Sequence, residues 1–293
     1  MRTSKKFRFD LFTVVGVTLL LAYTLSLILP FVWAFFAAMK DSFEFSKHPF
    51  WPTKNMSFQN FKAVFELFTI DVVDAQGIKT VYFTRFVVNS LIYAVGCGLA
   101  HTLAPCFAAY ATSKYSFKFS KFLYAFVIVA MLLPSVGTLA SEIQITKAIG
   151  VYDSFFGMFI MRFSLLGSNF LIFYATFKSI SWEYAEAAMI DGASHLRVFT
   201  TIMLPLAKTA IGAIFMLAFI TYWNEYTTPM VFLPSQPTLA YALWFFRQSS
   251  DGRYSNVPMQ LAACLISCVP IFVLFMVFKN KIMGNLTMGG LKG

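Results

Sequence analysis

The sequence predicts an all-α fold: a polytopic membrane protein of six transmembrane helices with a short cytoplasmic helix between helices four and five. Three observations carry this. Six segments long enough to cross a bilayer, which takes ~20 apolar residues, contain no charged side chain or a single one. Only 12% of the residues are charged, against roughly 25% in an ordinary soluble domain. A mean hydropathy of +0.69 completes the case, since a soluble core of this size cannot absorb so much apolar surface. The same arithmetic excludes disordered and collagen-like chains, and four Cys in such a sequence do not describe a disulfide framework.

The segments follow in order. Residues 1–10 form a basic N-terminus with Arg2, Lys5, Lys6 and Arg8, and residues 11–39 form the first span. That run is too long for the ~7 to 15 apolar residues of a signal peptide, so the span is read as retained. An external loop occupies 40–85. The core, 86–282, holds spans at 86–113, 122–141, 154–177 (interrupted by Arg162), 209–233 (interrupted by Glu225) and 254–278. Residues 283–293 form a C-terminal tail.

Orientation comes from loop charge. With the N-terminus inside, Lys114, Lys118, Lys121, Lys178, Arg197, Lys208, Lys279 and Lys281 all fall in short cytoplasmic segments, as the positive-inside rule requires. The external segments balance their cations with Asp41, Glu44, Glu66, Asp71, Asp74, Asp153 and Asp251. The net charge of +10 therefore reports orientation among lipids and not a nucleic-acid surface. Trp51, Trp182, Trp223 and Trp244 lie near span ends, where interfacial aromatics belong. Prolines at 30, 105, 134, 229 and 270 sit within spans and free carbonyls that neighbours or a water-lined path must satisfy.

The segment 181–205 reads as helix, turn, helix. Ser181 is placed as the N-cap, and Glu183 lies in the first turn, where the helix dipole favours an acid. Asp191-Gly192 ends the helix, because Gly enters the left-handed conformation without steric cost. Leu196, Phe199 and Met203 recur at helical spacing and predict one apolar face on the second helix.

Here the sequence resembles a known family. Glu186-Ala187-Ala188, Asp191-Gly192-Ala193, Phe199 and Leu204-Pro205 resemble the EAA motif of permease subunits in binding-protein-dependent ABC importers. Trp223-Asn224-Glu225-Tyr226, followed by Pro229, is similar to a stretch of carbohydrate-uptake permeases, and 284–293 resembles the tail of the maltose-type second permease. Ser181 departs from the proline common before the coupling helix, and Met288-Gly289 departs from the small residues usual in the tail. The resemblance implies that Glu186, Ala187, Ala188, Asp191, Gly192 and Ala193 dock on a cytoplasmic ATPase. It implies that Leu286, Thr287, Gly290 and Lys292 of the tail touch the ATPases. It also implies a bacterial inner-membrane location, a second permease subunit as a heterodimer, two ATPase subunits that bind ATP and Mg, and an external or periplasmic solute-binding protein.

No G-x-x-x-x-G-K-[ST] loop occurs, so the chain has no phosphate-cradling Walker A site of its own. It is expected to be non-catalytic and to carry no cofactor. An ion-coupled secondary transporter is the alternative, but proton relays usually use several buried carboxylates, and only Glu225 lies well inside a span. His48, His101 and His195 fall in separate regions and form no enzyme constellation. Cys97 with His101, and Cys264 with Cys268, stand one helical turn apart, and are read as packing and not as a metal site. Gly96 and Gly98 are read as close helix contacts.

The substrate expected from the resemblance is an oligosaccharide, with an acidic one such as alginate oligomers as the sharper version. A hydroxyl-rich ligand needs hydrogen-bonding groups to replace its water shell. The path candidates are therefore Asn89, with Ser90 beside it, Arg162, Asn169, Tyr222, Asn224 and Glu225. Arg162 is expected to pair with Glu225 or Glu142, to snorkel, or to attract an acidic sugar.

Overall fold

The computed structural model describes residues 11–53, 55–74, 77–132, 137–165, 167–249 and 256–283. The chain divides into two compact units, residues 1–68 with 246–266, and residues 69–245 with 267–293.

In the first unit, α1 (Leu11–Ala38) is apolar along its whole length and buries only its last residues, as a lipid-facing helix must. Pro30 lies inside it. After α1 the chain turns back through α2 (Ser42–Lys47), N-capped by Asp41, whose Oδ1 accepts the Glu44 N–H at 2.7 Å. Lys40, at the start of the predicted external loop, is buried here. Its ammonium donates to His48 O at 2.5 Å, and Asn60 of α3 (Gln59–Leu67) donates to Ala38 O and Lys40 O at 2.7 Å. The amide of Asn60 thus closes the carbonyl end of α1, where helix acceptors lack intrahelical partners.

The second unit begins with an antiparallel hairpin, β1 (Thr69–Asp74) and β2 (Gly77–Tyr82), in register Thr69 with Tyr82. This corrects the all-α expectation: the predicted external loop folds in part as strand. The central helix is α4 (Phe83–Lys114), which packs against α8 (Ser168–Ser179) and α12 (Lys208–Asn224) and against α7 (Phe155–Arg162). Gly96 permits the approach to α7. A Cβ there would meet the Phe159 ring at 2.1 Å. Around these lie α5 (Ser120–Leu132), α6 (Leu139–Ala148), α9 (Glu183–Ile190), α10 (His195–Val198), a π-helical turn at Phe199–Met203, α11 (Leu204–Leu206), α13 (Thr227–Phe232) and α14 (Leu239–Gln248). The last helix, α15 (Val257–Met283), contains Pro270 and passes through both units.

Among the described residues three helices are long and apolar enough to cross a membrane, Leu11–Ala38, Phe83–Lys114 and Val257–Lys279; His195–Leu206 and Lys208–Asn224 form a fourth only if a 74° bend is accepted within one span. Several of the six spans expected from sequence are thus not single long helices. The predicted span 154–177 is broken between Arg162 and Ser168, where Gly167 adopts φ +128°. The predicted span 209–233 is broken at Glu225, which is extended between α12 and α13. The predicted span 122–141 appears as α5 and the start of α6, with its middle outside the described residues. Absence of charge marks membrane affinity but is blind to helix breaks. Trp223, expected at an interface, is instead buried; it stacks on Phe219 and donates to Ser267 O at 3.1 Å.

Candidate functional site

Two features of the second unit stand out, the segment 181–205 and a polar cluster among the helices. At the start of α9, Ser181 Oγ accepts the Glu183 N–H at 3.3 Å, as a capping side chain does, whereas Trp182 already has helical dihedrals and makes no side-chain cap. At the other end of α9, Gly192 has φ +85°. Its N–H donates to Met189 O at 3.0 Å and the Ala193 N–H donates to Ala188 O at 2.9 Å. These bonds satisfy two carbonyls that the end of the helix leaves open, and the left-handed residue they require explains a glycine at 192. Ser194 then caps α10 by accepting the Arg197 N–H. The π-helical turn leads into Leu204-Pro205, and Pro205 has no N–H to continue the ladder.

The segment is rooted on one side and open on the other. Ala185, Val198, Phe199 and Met203 are buried in one apolar cluster with Tyr110 of α4 and Phe177 of α8. The Phe199 and Tyr110 rings lie 4.5 Å apart. The end of α4 ties both arms down, because the Lys114 ammonium donates to Ile180 O and Tyr115 pairs its hydroxyl with His195 Nδ1 at 3.1 Å. Outward, Ile190 is 86% exposed, Leu196 72% and Tyr184 58%. Glu186, Ala187, Asp191 and Gly192 are exposed, and Ala188 and Ala193 are half-buried. The single apolar face expected for Leu196, Phe199 and Met203 is therefore split: the latter two enter the core and Leu196 does not.

The polar cluster collects around Glu225 at the break between α12 and α13. Its carboxylate accepts the Tyr93 hydroxyl at 2.9 Å and the Thr228 hydroxyl, and lies 3.7 Å from the Arg162 guanidinium. Arg162 also donates to Thr228 Oγ1 at 3.0 Å and sits over the Tyr222 ring, 5.7 Å from its centroid. Tyr222 extends the network to His101 Nδ1 at 3.1 Å. The Arg162 and Glu225 side chains keep 27% and 26% of their exposure. The pair is thus partly wetted, which lowers the cost of placing it among apolar helices. Sequence reasoning proposed both charges and Tyr222, but missed Tyr93 and Thr228. Their hydroxyls carry no pattern in a chain rich in both residue types.

The other candidates lie apart from this cluster. Asn89 and Ser90 bind the start of α14, the first donating to Pro237 O at 3.0 Å and the second accepting the Leu239 N–H at 2.7 Å. Asn224 is exposed and returns its amide to Ile220 O in its own helix at 2.8 Å. Asn169 is half-buried in the first turn of α8, and none of the cluster's hydrogen bonds reaches it. Glu142 begins α6, and Arg162 pairs with Glu225 in its place. Leu286, Thr287, Gly290 and Lys292 lie outside the described residues.

Comparison with known proteins agrees with this architecture. The trehalose transport system permease protein of Mycobacterium tuberculosis is 24% identical over 285 residues, 94% of this chain and 95% of the relative. The maltodextrin transport system permease protein of Bacillus subtilis is 27% identical over 208 residues, 70% of this chain and 74% of the relative. In fold, the chain is similar to one solved in a bacterial ABC transporter involved in the import of the acidic polysaccharide alginate. That match has a TM-score of 0.77 at 22% identity and covers 95% of this chain and 99% of the other. A second match, with a TM-score of 0.58 at 15% identity and 92% coverage of both chains, is to a bacterial alginate ABC transporter in complex with an alginate pentasaccharide-bound periplasmic protein. Residues 102–282, more than half of the chain, match the family described as the inner membrane component of binding-protein-dependent transport systems, and the chain belongs to that family.

Proposed function

We propose that the chain is one permease subunit of an ATP-driven importer, which takes an oligosaccharide from an external solute-binding protein and releases it to the cytoplasm by alternating access. The observation that carries the reading is the segment 181–205. It presents Tyr184, Ile190 and Leu196 outward beside acidic Glu186 and Asp191, while Ala185, Val198, Phe199 and Met203 fix it to the helical core. Large apolar side chains left in water beside a rigid root are what a docking element presents before its partner covers them. A partner that pulls or pushes α9 moves α4 and α8 with it, because packed elements shift together and do not deform.

On this reading the partners are two ATPase subunits that hold ATP and Mg, a second and different permease, and the solute-binding protein. Six membrane crossings, some of them broken helices, place both termini in the cytoplasm. The names of the relatives, which specify trehalose and maltodextrin, support a carbohydrate as the substrate. Thr228 and Glu225, half-buried at the break between α12 and α13, supply polar partners that a sugar needs on its way through, with Tyr93 and Tyr222 buried behind them. Arg162 takes the role of a structural counter-ion there, since its charge is already matched by Glu225.

The test is Glu186→Lys and, separately, Gly192→Pro. Either variant should reach the membrane in normal amount while ATP-dependent uptake falls more than tenfold. Normal uptake by both would remove the docking role.

A further inference from the structure

A row of three aromatic rings begins beside the break at Glu225. Tyr226 is the first residue after that carboxylate, and its ring lies within 13° of parallel to Trp244 of α14, with centroids 5.6 Å apart. Trp244 in turn lies within 27° of parallel to Tyr241, at 6.4 Å. Rings stacked directly face to face would stand ~3.5 to 4 Å apart. The longer centroid distances displace each ring sideways from the next and leave part of its face uncovered. Local sequence produces this display. α14 buries Leu239 and Ala242, and Tyr241 and Trp244, two positions further on, point about 200° away round a helix of 3.6 residues per turn. Tyr226 is 39% exposed, and Trp244 and Tyr241 are half-buried.

The polar tips of the row are open. Other tyrosines of this unit spend their hydroxyls within the fold, Tyr93 on Glu225, Tyr152 on Val231 O and Tyr222 on His101, and Trp223 gives its N–H to Ser267 O. The hydroxyls of Tyr226 and Tyr241 and the N–H of Trp244 have no hydrogen-bond partner among the described residues. The buried side-chain polar atoms left without a partner there are Asn89 Oδ1 and Arg162 Nε, so the tips of Trp244 and Tyr241 keep accessible surface. A buried indole or phenol tip finds a partner in most folds; here three such tips edge a set of accessible ring faces. A pyranose ring has the complementary form, with C–H groups on its faces and hydroxyls at its rim. An acyl chain would leave the tips unpaired, and a phosphate head group calls for a cation that the three rings do not carry.

We infer that Tyr226, Trp244 and Tyr241 form a stacking subsite for a sugar ring, which reads the ring face and its rim hydroxyls and is indifferent to a carboxylate. The inference rests on the oligosaccharide-importer reading for its place in transport, but its binding chemistry stands on the aromatic row alone. Because ring shape is what the row recognises, neutral and acidic sugar rings should bind alike and an open-chain polyol should not bind.

The test uses the full chain in nanodiscs and three probes, a neutral glucose disaccharide, the corresponding uronic-acid disaccharide and a linear hexitol. Saturation-transfer NMR should show both disaccharides held through their ring C–H protons and no binding of the hexitol. Trp244→Leu should weaken both disaccharides about tenfold, and Trp244→Phe, which restores a ring, should recover most of that loss. Tyr226→Phe, which keeps the face and removes the hydroxyl, should weaken them about two- to threefold. Absence of disaccharide binding, equal binding of the hexitol, a clear preference for the acidic probe, unchanged binding in Trp244→Leu, or a loss that Trp244→Phe does not recover overturns the subsite. If Trp244→Leu alters only the lipid retained by the chain or only copurification of a second permease, with probe binding unchanged, the row is a membrane or subunit contact and the inference fails. Sugar binding that follows the prediction in an assembly that shows no ATP-driven uptake would instead refute the importer reading and leave the subsite standing.

Discussion

Breaking the Arg162–Glu225 pair should show that the polar cluster is one coupled unit. At 3.7 Å and an effective dielectric near 20, the attraction between the two charges is about 4 kcal/mol, an upper figure because each side chain retains about a quarter of its exposure. Glu225→Gln keeps a group that can accept from Tyr93 and Thr228 but removes the charge, leaving Arg162 with Thr228 and the face of Tyr222. Arg162→Gln leaves Glu225 as the uncompensated charge. Each single variant should lose about 1 to 3 kcal/mol, the range for hydrogen bonds to charged groups. The double variant, with neither charge, should lose clearly less than their sum, by more than about 1 kcal/mol. The assay is reversible denaturant unfolding of the chain in mixed micelles, with uptake of the oligosaccharide measured in parallel. Additivity within about 0.5 kcal/mol would refute the pairing.

Two further outcomes follow from the packing. Gly96→Leu should destabilise the second unit by at least about 1 to 3 kcal/mol, because the Phe159 ring already lies 2.1 Å from where a first side-chain carbon would stand; thermal unfolding reads this, and an unchanged melting temperature would contradict the contact. Ile190→Asp with Leu196→Asp should leave the melting temperature of the isolated chain within a degree or two, since both side chains are exposed, and should reduce copurifying ATPase more than tenfold; undiminished recovery would contradict the docking face.

What the sequence revealed divides along physical lines. The turn at Gly192 was legible because its cause is local: one residue must adopt φ +85°, and glycine does so most easily. The pairing of Arg162 with Glu225 was legible only as one of several options, because intramembrane charges are few and each needs an opposite charge nearby, while the choice over Glu142 depends on the fold. Gly96 was read correctly as a close contact. The breaks at Gly167 and Glu225 were hidden because apolar composition satisfies the membrane whether the helix is continuous or not. Trp223 was misplaced for a related reason. Position along a span says where a side chain starts, but a carbonyl at 267 decides where it ends. Leu196 was expected to share one apolar face with Phe199 and Met203, but periodicity over a stretch that passes through a π-helical turn does not fix a single face, and Leu196 stays exposed.

The measurement that tests the account most directly is gentle solubilisation of the tagged chain from its native membrane, identification of what copurifies in stoichiometric amount, and reconstitution of that assembly for oligosaccharide uptake. The account predicts two copies of a Walker A ATPase, a different permease, and uptake that stops without ATP. A lone chain or homodimer that carries substrate without ATP would contradict it.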